Sequence, residues 1–328
     1  MGRKKKIKNI LEKTEKELKE VIEAGIQPLE LTKEQKEKKE KLKKIMNEQN
    51  RDAKKIVLKY ASDELPVERI PFGLTFLDKM VGGGLPCKRF NVIWGAKGSG
   101  KTTLAYMAIS QAQKVGKLCA FIDLERSFEA SRAKQFGVNT EDLVLANVFS
   151  NAEQAMDSLI SMCKNQVIDF IVLDSIQALS PLGEQETKKG KEKSIADDDM
   201  ALLARKLSKF FRVSASGVYE SGVSILLIGQ ARTNLGGFIA FDSLSGGHAL
   251  SHWASFIINS RRGSKADAPT EKIDSGEVDE KGKKIIIEQQ VGFNTVITLE
   301  KTKITSSMEG TKVHLPFLFQ EGFLNESK

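Results

Sequence analysis

The chain has 328 residues, 40% of them hydrophobic, enough to bury one large core plus an appendage. Cys87, Cys119 and Cys163 form no CxxC pair and are odd in number, so neither a disulfide frame nor a zinc site is supported and a reducing compartment fits. The net charge is +8, no apolar run approaches a membrane span, and the basic N-terminus lacks a following signal-peptide core, so a soluble cytoplasmic protein with no membrane partner is expected.

The charge is unevenly spread. Of 51 basic and 43 acidic residues, 19 and 11 fall within residues 1–60, leaving 32 of each for the remainder. The excess therefore belongs to an N-terminal arm, expected over residues 1–65, and not to the body expected over 66–328. Such a split suits an arm that meets a polyanion, and it equally suits a solvated helix rich in Glu–Lys pairs. Residues 1–25 place Ile7, Ile10, Leu11, Leu18, Val21 and Ile22 on one helical face, which Gly25 and Pro28 end. A second helix is predicted over about 33–55, with only Leu42, Ile45 and Met46 as an apolar face; it is exposed or partner-dependent. Ile56–Tyr60 reads as a short strand, either of this chain's own sheet or of a docking segment.

From Ile70 onward strand and helix alternate, the pattern of a parallel, doubly wound α/β sheet. The apolar run Phe90–Trp94 leads into Gly95-Ala96-Lys97-Gly98-Ser99-Gly100-Lys101-Thr102-Thr103, and Leu104, Met107, Ala108 and Ala112 follow at helical spacing. Strand, glycine-rich loop and helix in this order make a P-loop. Its backbone N–H groups and helix N-terminus cradle phosphates, Lys101 reaches the β- and γ-phosphates, and the Thr102 hydroxyl sits on Mg²⁺. Binding of a nucleoside triphosphate is the expected consequence.

A buried strand is predicted at Leu118–Asp123, helices over about 127–136 and 151–165, and a strand at Asp169–Ser175. The last run closes on Asp174 about 70 residues after the P-loop, the Walker B pattern, and Asp174 can hold Mg²⁺ beside Thr102. Glu125 stands past the end of the strand between. It can orient a water against the γ-phosphate, or be an exposed first-turn helix residue. Pro181–Ser194 is a solvated loop with Lys188, Lys189, Lys191 and Lys193, able to grip phosphates or to be merely charged. A helix over about 197–214 and a strand at Val223–Gly229, ending in Gln230, come next. The loop Ala231–Gly247 carries Arg232, Asn234, Gly236, Gly237, Phe238 and Phe241; cations, glycines and aromatics together suit a stretched single strand of nucleic acid. Strands are predicted at Ala254–Asn259, Lys284–Gln289, Asn294–Leu299 and Lys312–Phe319, with a polar hairpin tip over Gly263–Gly282. Lys301 and Lys303 lie just past a strand and, on pattern alone, also read as an ordinary exposed strand end.

In order and spacing, several of these segments resemble the RecA family of homologous-recombination ATPases. They are Gly82–Pro86, the P-loop, Cys119–Glu125, Leu173–Leu179, Ile228–Arg232, Ser245–Leu250, Arg261-Arg262 and Glu300–Lys303, within a likeness running from about Ile56 to Phe323. The resemblance implies a RecA-type P-loop core with a mostly parallel sheet, preceded here by the helical basic arm. It implies that Glu125 is the catalytic glutamate, Asp174 the Walker B acid, and Gln230 the glutamine that senses the γ-phosphate and informs the second DNA loop. Lys301 and Lys303 look like the pair that reaches the nucleotide of the adjacent subunit, Glu129 falls near the adenine contact, and Ile56–Tyr60 is similar to the subunit-docking segment.

Three departures stand out, one of them the divergent composition of the basic loop Pro181–Ser194. Arg132 stands where bacterial members usually have a base-stacking tyrosine. The chain stops soon after Phe323, so the C-terminal lobe and acidic tail of bacterial members are expected to be missing, as would suit a bacteriophage-encoded member in its host's cytoplasm. The activity implied is that of a DNA-dependent ATPase, using ATP and Mg²⁺, that forms homo-oligomeric filaments on single-stranded DNA and pairs it with homologous duplex DNA. A RecA-like loader or regulator, and a ring helicase motor, are the rival readings; a P-loop kinase would lack a small-substrate lid.

Overall fold

Every residue of Phe170–Asp174 and of Phe90–Gly95 is buried, with Asp174 and Asn91 the only polar side chains among them, the signature of strands covered on both sides. The computed structural model describes residues 32–53, 58–61, 66–182, 202–234, 241–244, 248–278, 284–304 and 309–325. It divides into two compact units, Met1–Pro66 and Val67–Lys328.

In the first unit, helix α1 (Lys33–Asp52) has no buried residue, and Leu42 and Ile45 are about half exposed, 47% and 48%. Its start is set locally: the Thr32 hydroxyl accepts from the Gln35 N–H, and the Gln35 side chain accepts from the Thr32 N–H at 2.9 Å. The expected strand at 56–60 is not present over 58–60, and residues 56–57 lie outside those described. The backbone of Leu58 is occupied instead by the Asn50 side chain, which donates to its carbonyl and accepts from its N–H, both at 2.8 Å. The helix predicted over 1–25 also lies outside the described residues.

In the second unit, β1 (Arg69–Ile70), α2 (Thr75–Met80) and β2 (Leu85–Pro86) precede the sheet, β1 pairing with β2. Then follow β3 (Phe90–Gly95), α3 (Lys101–Lys114), β4 (Cys119–Asp123), α4 (Ala130–Gln135), β5 (Leu143–Ala146), α5 (Ala152–Asn165), β6 (Phe170–Asp174) and a 3-10 turn at Ile176–Ala178. After α6 (Leu202–Ser221) come β7 (Ser224–Asn234), β8 (Phe241–Leu244), α7 (His248–Trp253), β9 (Phe256–Arg262), β10 (Thr270–Val278), β11 (Lys284–Gln290), β12 (Gly292–Thr302), β13 (Lys312–Leu318) and β14 (Gly322–Phe323).

The main sheet runs β14-β13-β12-β9-β3-β7-β6-β4-β5, with β8 attached to β7. The strands from β9 to β5 are parallel, whereas β12, β13 and β14 join antiparallel. Alternate side chains sort into two cores. Ile93, Phe121, Val172, Leu226 and Ile258 pack with Leu104, Ala108 and Ile109 of α3; Val92, Trp94, Ile122, Leu173 and Leu227 pack with Leu159 of α5 and Leu207, Phe210 and Phe211 of α6. This α/β architecture is the one expected. Among the described residues no helix is long and apolar enough to cross a membrane.

Four boundaries differ from the sequence reading. Helix α6 continues to Ser221 and stops only at Gly222, whose φ of +82° a helix does not accommodate. Helix α4 begins at Ala130, because the Asp123 carboxylate caps the Ser127 and Phe128 N–H groups at 3.2 and 2.8 Å and holds that segment as a turn. Strand β7 does not end at Gly229. It runs to Asn234 and pairs antiparallel with β8, Ala231 opposite Leu244 and Asn234 opposite Phe241. Part of the polar stretch Gly263–Gly282 is strand β10, which pairs with β11 in a separate two-stranded ribbon.

Candidate functional site

The chemistry-bearing groups of the parallel strands emerge where β3, β4 and β6 end beside β7, which runs on into its pairing with β8. The loop between β3 and α3 is shaped by close backbone contacts. A Cβ at Gly95 would lie 1.8 Å from the Ser260 carbonyl oxygen, and one at Gly100, where φ is +86°, would lie 2.5 Å from the Phe323 ring. Only glycine fits either place. Ser99 is fully buried, its carbonyl accepting from the Ser260 hydroxyl at 2.7 Å. The Arg262 Nε donates to the Gly98 carbonyl at 2.9 Å, and its guanidinium lies 4.2 Å over the Phe293 ring. Ala96, Lys97 and Gly98 are exposed at the tip.

Lys101 and Thr103 are buried in the first turn of α3, with Thr102 between them half-buried. The Lys101 ammonium donates to the carbonyls of Gly95 and Ala96 at 3.0 and 2.7 Å. Burial holds it below its ordinary pKa, opposed by the charges of Asp174 and Glu125. The Thr102 hydroxyl donates to Asp174 Oδ2 at 2.7 Å. Burial pushes the Asp174 carboxyl up to about 6, against the lowering effect of that bond. A buried hydroxyl–carboxylate pair at the end of a phosphate-type loop has the donor set that Mg²⁺ takes when phosphate oxygens complete its shell. Among the described residues no group of three His, Cys, Asp or Glu side chains could hold a metal alone.

Glu125 lies just past β4, and one backbone bond together with the Asp123 carboxylate brings it to the site. The Leu124 N–H donates to the Asp174 carbonyl at 2.7 Å, and Asp123 closes the turn beyond it. Glu125 Oε1 accepts from the Ser175 hydroxyl and, at 2.5 Å, from Gln230 Nε2. Gln230 is the last residue of β7 to pair with β3, opposite Gly95, the first residue of the loop. Lys101, Thr102, Asp174, Glu125 and Gln230, far apart in sequence, thus stand around one strand end.

A cavity of about 280 Å³ adjoins the loop, lined by residues 98–103 and walled by Arg132, Arg262, Phe293, Phe317 and Phe319. Glu129 is not among its walls. It precedes α4, is exposed, and accepts from the Ser131 hydroxyl. Lys301 and Lys303 are also apart from this loop. Lys301 lies on β12 rather than past it, opposite Ile257, which pairs with Val92 three residues before Gly95, about 10 Å back along the strand. Both ammonium groups turn to α7: Lys301 donates to the carbonyls of Ser251 and His252, and Lys303 to that of His252 at 2.9 Å.

Arg232, Asn234 and Phe241 sit on the strands of the β7–β8 hairpin, not in an irregular loop. Gly236, Gly237 and Phe238, and Lys188, Lys189, Lys191 and Lys193, lie outside the described residues. Asp123, Ser175, Gln177 and the aromatic wall had no role in the sequence reading. Phe317 and Phe319 recur at strand period, but that they border the loop depends on how β13 is placed in the sheet, as the others depend on where strands end.

A family model described as the RecA N-terminal domain matches residues 36–322. The chain is 34% identical over 213 residues to Protein RecA of Campylobacter fetus, covering 64% of this chain and 60% of that protein. It is 35% identical over 197 residues to Protein RecA of Gloeobacter violaceus (60% and 52%), and 37% identical over 203 residues to that of Psychrobacter arcticus (61% and 56%). The chain thus spans between about half and three fifths of the length of the curated relatives it matches.

Proposed function

The chain belongs to the RecA family, and from that premise we propose that it is an ATP-dependent DNA recombinase: a DNA-dependent ATPase that polymerises on single-stranded DNA and drives pairing with homologous duplex. In this reading the amides of Gly95–Thr103 and the Lys101 ammonium bind the triphosphate, and Thr102 with Asp174 holds Mg²⁺, which when bound neutralises charge on the β- and γ-phosphates. Glu125 orients the attacking water. Gln230 senses the γ-phosphate and passes its presence to the β7–β8 hairpin, where Arg232, Asn234 and Phe241 meet DNA together with Gly236, Gly237, Phe238 and the four lysines of 188–193. Lys301 and Lys303, distant from their own loop, reach the nucleotide of a neighbouring subunit, and Glu129 lies by the base. Residues 1–65 form a basic arm that captures duplex DNA in the cytoplasm.

The observation that carries the reading is the hydrogen bond from Gln230 Nε2 to Glu125 at 2.5 Å. It joins the residue placed to position water with the strand that becomes the hairpin, so nucleotide state and DNA grip are linked quantities. Glu125→Gln is the direct test. It is expected to keep ATP and single-stranded DNA binding while turnover falls by about 10³-fold, the scale of losing a general base. Normal turnover in that variant would overturn the assignment, and DNA-stimulated hydrolysis without joint molecules from homologous duplex would favour an accessory ATPase. Removing residues 1–50 is expected to flatten the salt dependence of duplex binding while sparing ATPase on single strands; an unchanged slope would refute the role of the arm.

A further inference from the structure

We propose that Gln177 is a positioning residue that locks the backbone of Gln230 in place and so sets how the β7–β8 hairpin communicates with Glu125. The inference rests on the reading of Glu125 and Gln230 given above.

In a parallel ladder every second residue of a strand turns its N–H and C=O to the same neighbour. Strand β7 pairs with β6 up to Ile228 opposite Asp174. The next rung belongs to Gln230, but β6 has ended: the chain turns at Ser175 into the 3-10 turn Ile176–Ala178. The Gln177 side chain, on that turn, takes the missing rung. Its Oε1 accepts from the Gln230 N–H at 2.8 Å, and its Nε2 donates to the Gln230 carbonyl at 3.3 Å. A carboxamide carries the donor and acceptor of a peptide group, so Gln at this reach can replace a strand where apolar or cationic side chains cannot.

The clamp completes a fixed frame. On its other edge Gln230 pairs with Gly95 of β3. Gly229 beside it is crowded, since a Cβ there would lie 2.7 Å from the Leu244 side chain and 3.2 Å from Trp94 Cβ. With its own N–H and C=O both held by Gln177 and its place fixed in register opposite Gly95, Gln230 turns its side chain to Glu125. Beyond Gln230, β7 pairs only with β8. Gln177 therefore stands where the rigid sheet hands over to the hairpin, and movement of the hairpin, carried along β7 to Gln230, is resisted there by a rung made by one side chain.

Two variants of the full chain separate this role from packing. Gln177→Met keeps length and bulk but removes both bonds; Gln177→Glu keeps the acceptor for the Gln230 N–H. Hydrogen exchange at the Gln230 amide is expected to quicken about tenfold in Gln177→Met and to stay near the parent in Gln177→Glu. With Mg²⁺, ATP and an oligothymidylate, kcat of Gln177→Met is expected to fall about five- to tenfold while KM for ATP stays within about twofold, the pattern of an interaction that matters in the transition state. Unchanged exchange in Gln177→Met would overturn the clamp. Quickened exchange with unchanged kcat would overturn its part in coupling. Glu125→Gln, assayed alongside, tells a failure of this proposal from a failure of the site reading: if Glu125→Gln turns over normally the reading falls and the coupling with it, while the exchange result still decides the clamp.

Discussion

Around Gly95–Thr103 each turn of the loop meets a neighbour that is itself fixed: the Ser260 backbone beneath Gly95, the Ser260 hydroxyl on Ser99, Arg262 on Gly98, and the Phe323 ring against Gly100. Strands β10 and β11, in the same unit, pair only with each other, and Ile286 and Ile287 are 55% and 45% exposed. One region has more constraints than it needs to fold, and the other has barely its own ladder. In the role proposed for it, a loop that presents its amides to phosphate tolerates little displacement, because positioning is most of that chemistry. A two-stranded ribbon with both faces wet holds little free energy in any one side chain.

The largest effect predicted from this contrast is at Gly95. In Gly95→Ala the new Cβ would meet the Ser260 carbonyl, and β3 and β9 must part to admit it. A loss of about 4 kcal/mol or more in urea-induced unfolding is expected, together with loss of nucleotide binding. A variant as stable as the parent would show the loop to be far more pliant than its contacts imply.

Lys101→Ala should come next and act on the ligand rather than on the fold. Burial already disfavours its ammonium, so its removal is expected to leave the melting temperature within about 3 °C. Affinity for a fluorescent ATP analogue should drop roughly 100-fold, the scale of a lost charge-assisted contact. Unfolding without the lysine would mean that its bonds to the Gly95 and Ala96 carbonyls hold the loop together. In the ribbon, Ile286→Thr and Ile287→Thr are each expected to cost about 0.5 kcal/mol or less. A cost several times larger in denaturant titration would break the comparison, by showing that the ribbon's apolar faces are covered in solution.

The sequence exposes the parts of this molecule that are decided locally. The strands at 90–95 and 170–174 are nearly continuous apolar runs because both faces are covered, and the loop shows in its glycine spacing because its close contacts at Gly95 and Gly100 admit no other residue. Asp174 and Glu125 were legible from their distance to strand ends. Gln177 was not, since its partner is defined by where β6 stops relative to β7, which no local pattern encodes. For the same reason the continuation of β7 through Arg232–Asn234 was hidden: that segment has no apolar alternation, and only its pairing with Phe241–Leu244 makes it a strand. At Leu58 a single side chain, Asn50, overrode a convincing strand pattern. Arg262 was noticed as one of a pair of arginines, but its bond to Gly98 spans 164 positions.

The smallest predicted effect tests where the tightly held region ends. Trp94 belongs to β3, one residue before the loop, and its indole Nε1 donates to Glu300 Oε2 at 2.6 Å on β12. Glu300 is exposed as a residue, but partial desolvation of its carboxyl beside the Trp94 ring raises its pKa, and the indole bond only partly offsets this. The folded protein therefore keeps the Glu300 proton to a higher pH than the unfolded chain does. Its contribution to stability is complete below the unfolded value, about 4.3, and is lost as pH rises through the folded one. Glu300→Gln retains an oxygen for the indole and removes the titration. Its melting temperature should exceed that of the parent by about 1–2 °C at pH 8, with the gap narrowing toward pH 5. A gap independent of pH would show that the Glu300 carboxyl titrates as in the unfolded chain despite its indole bond, and the constraints on the loop would then stop at β3 instead of reaching across β9 to β12.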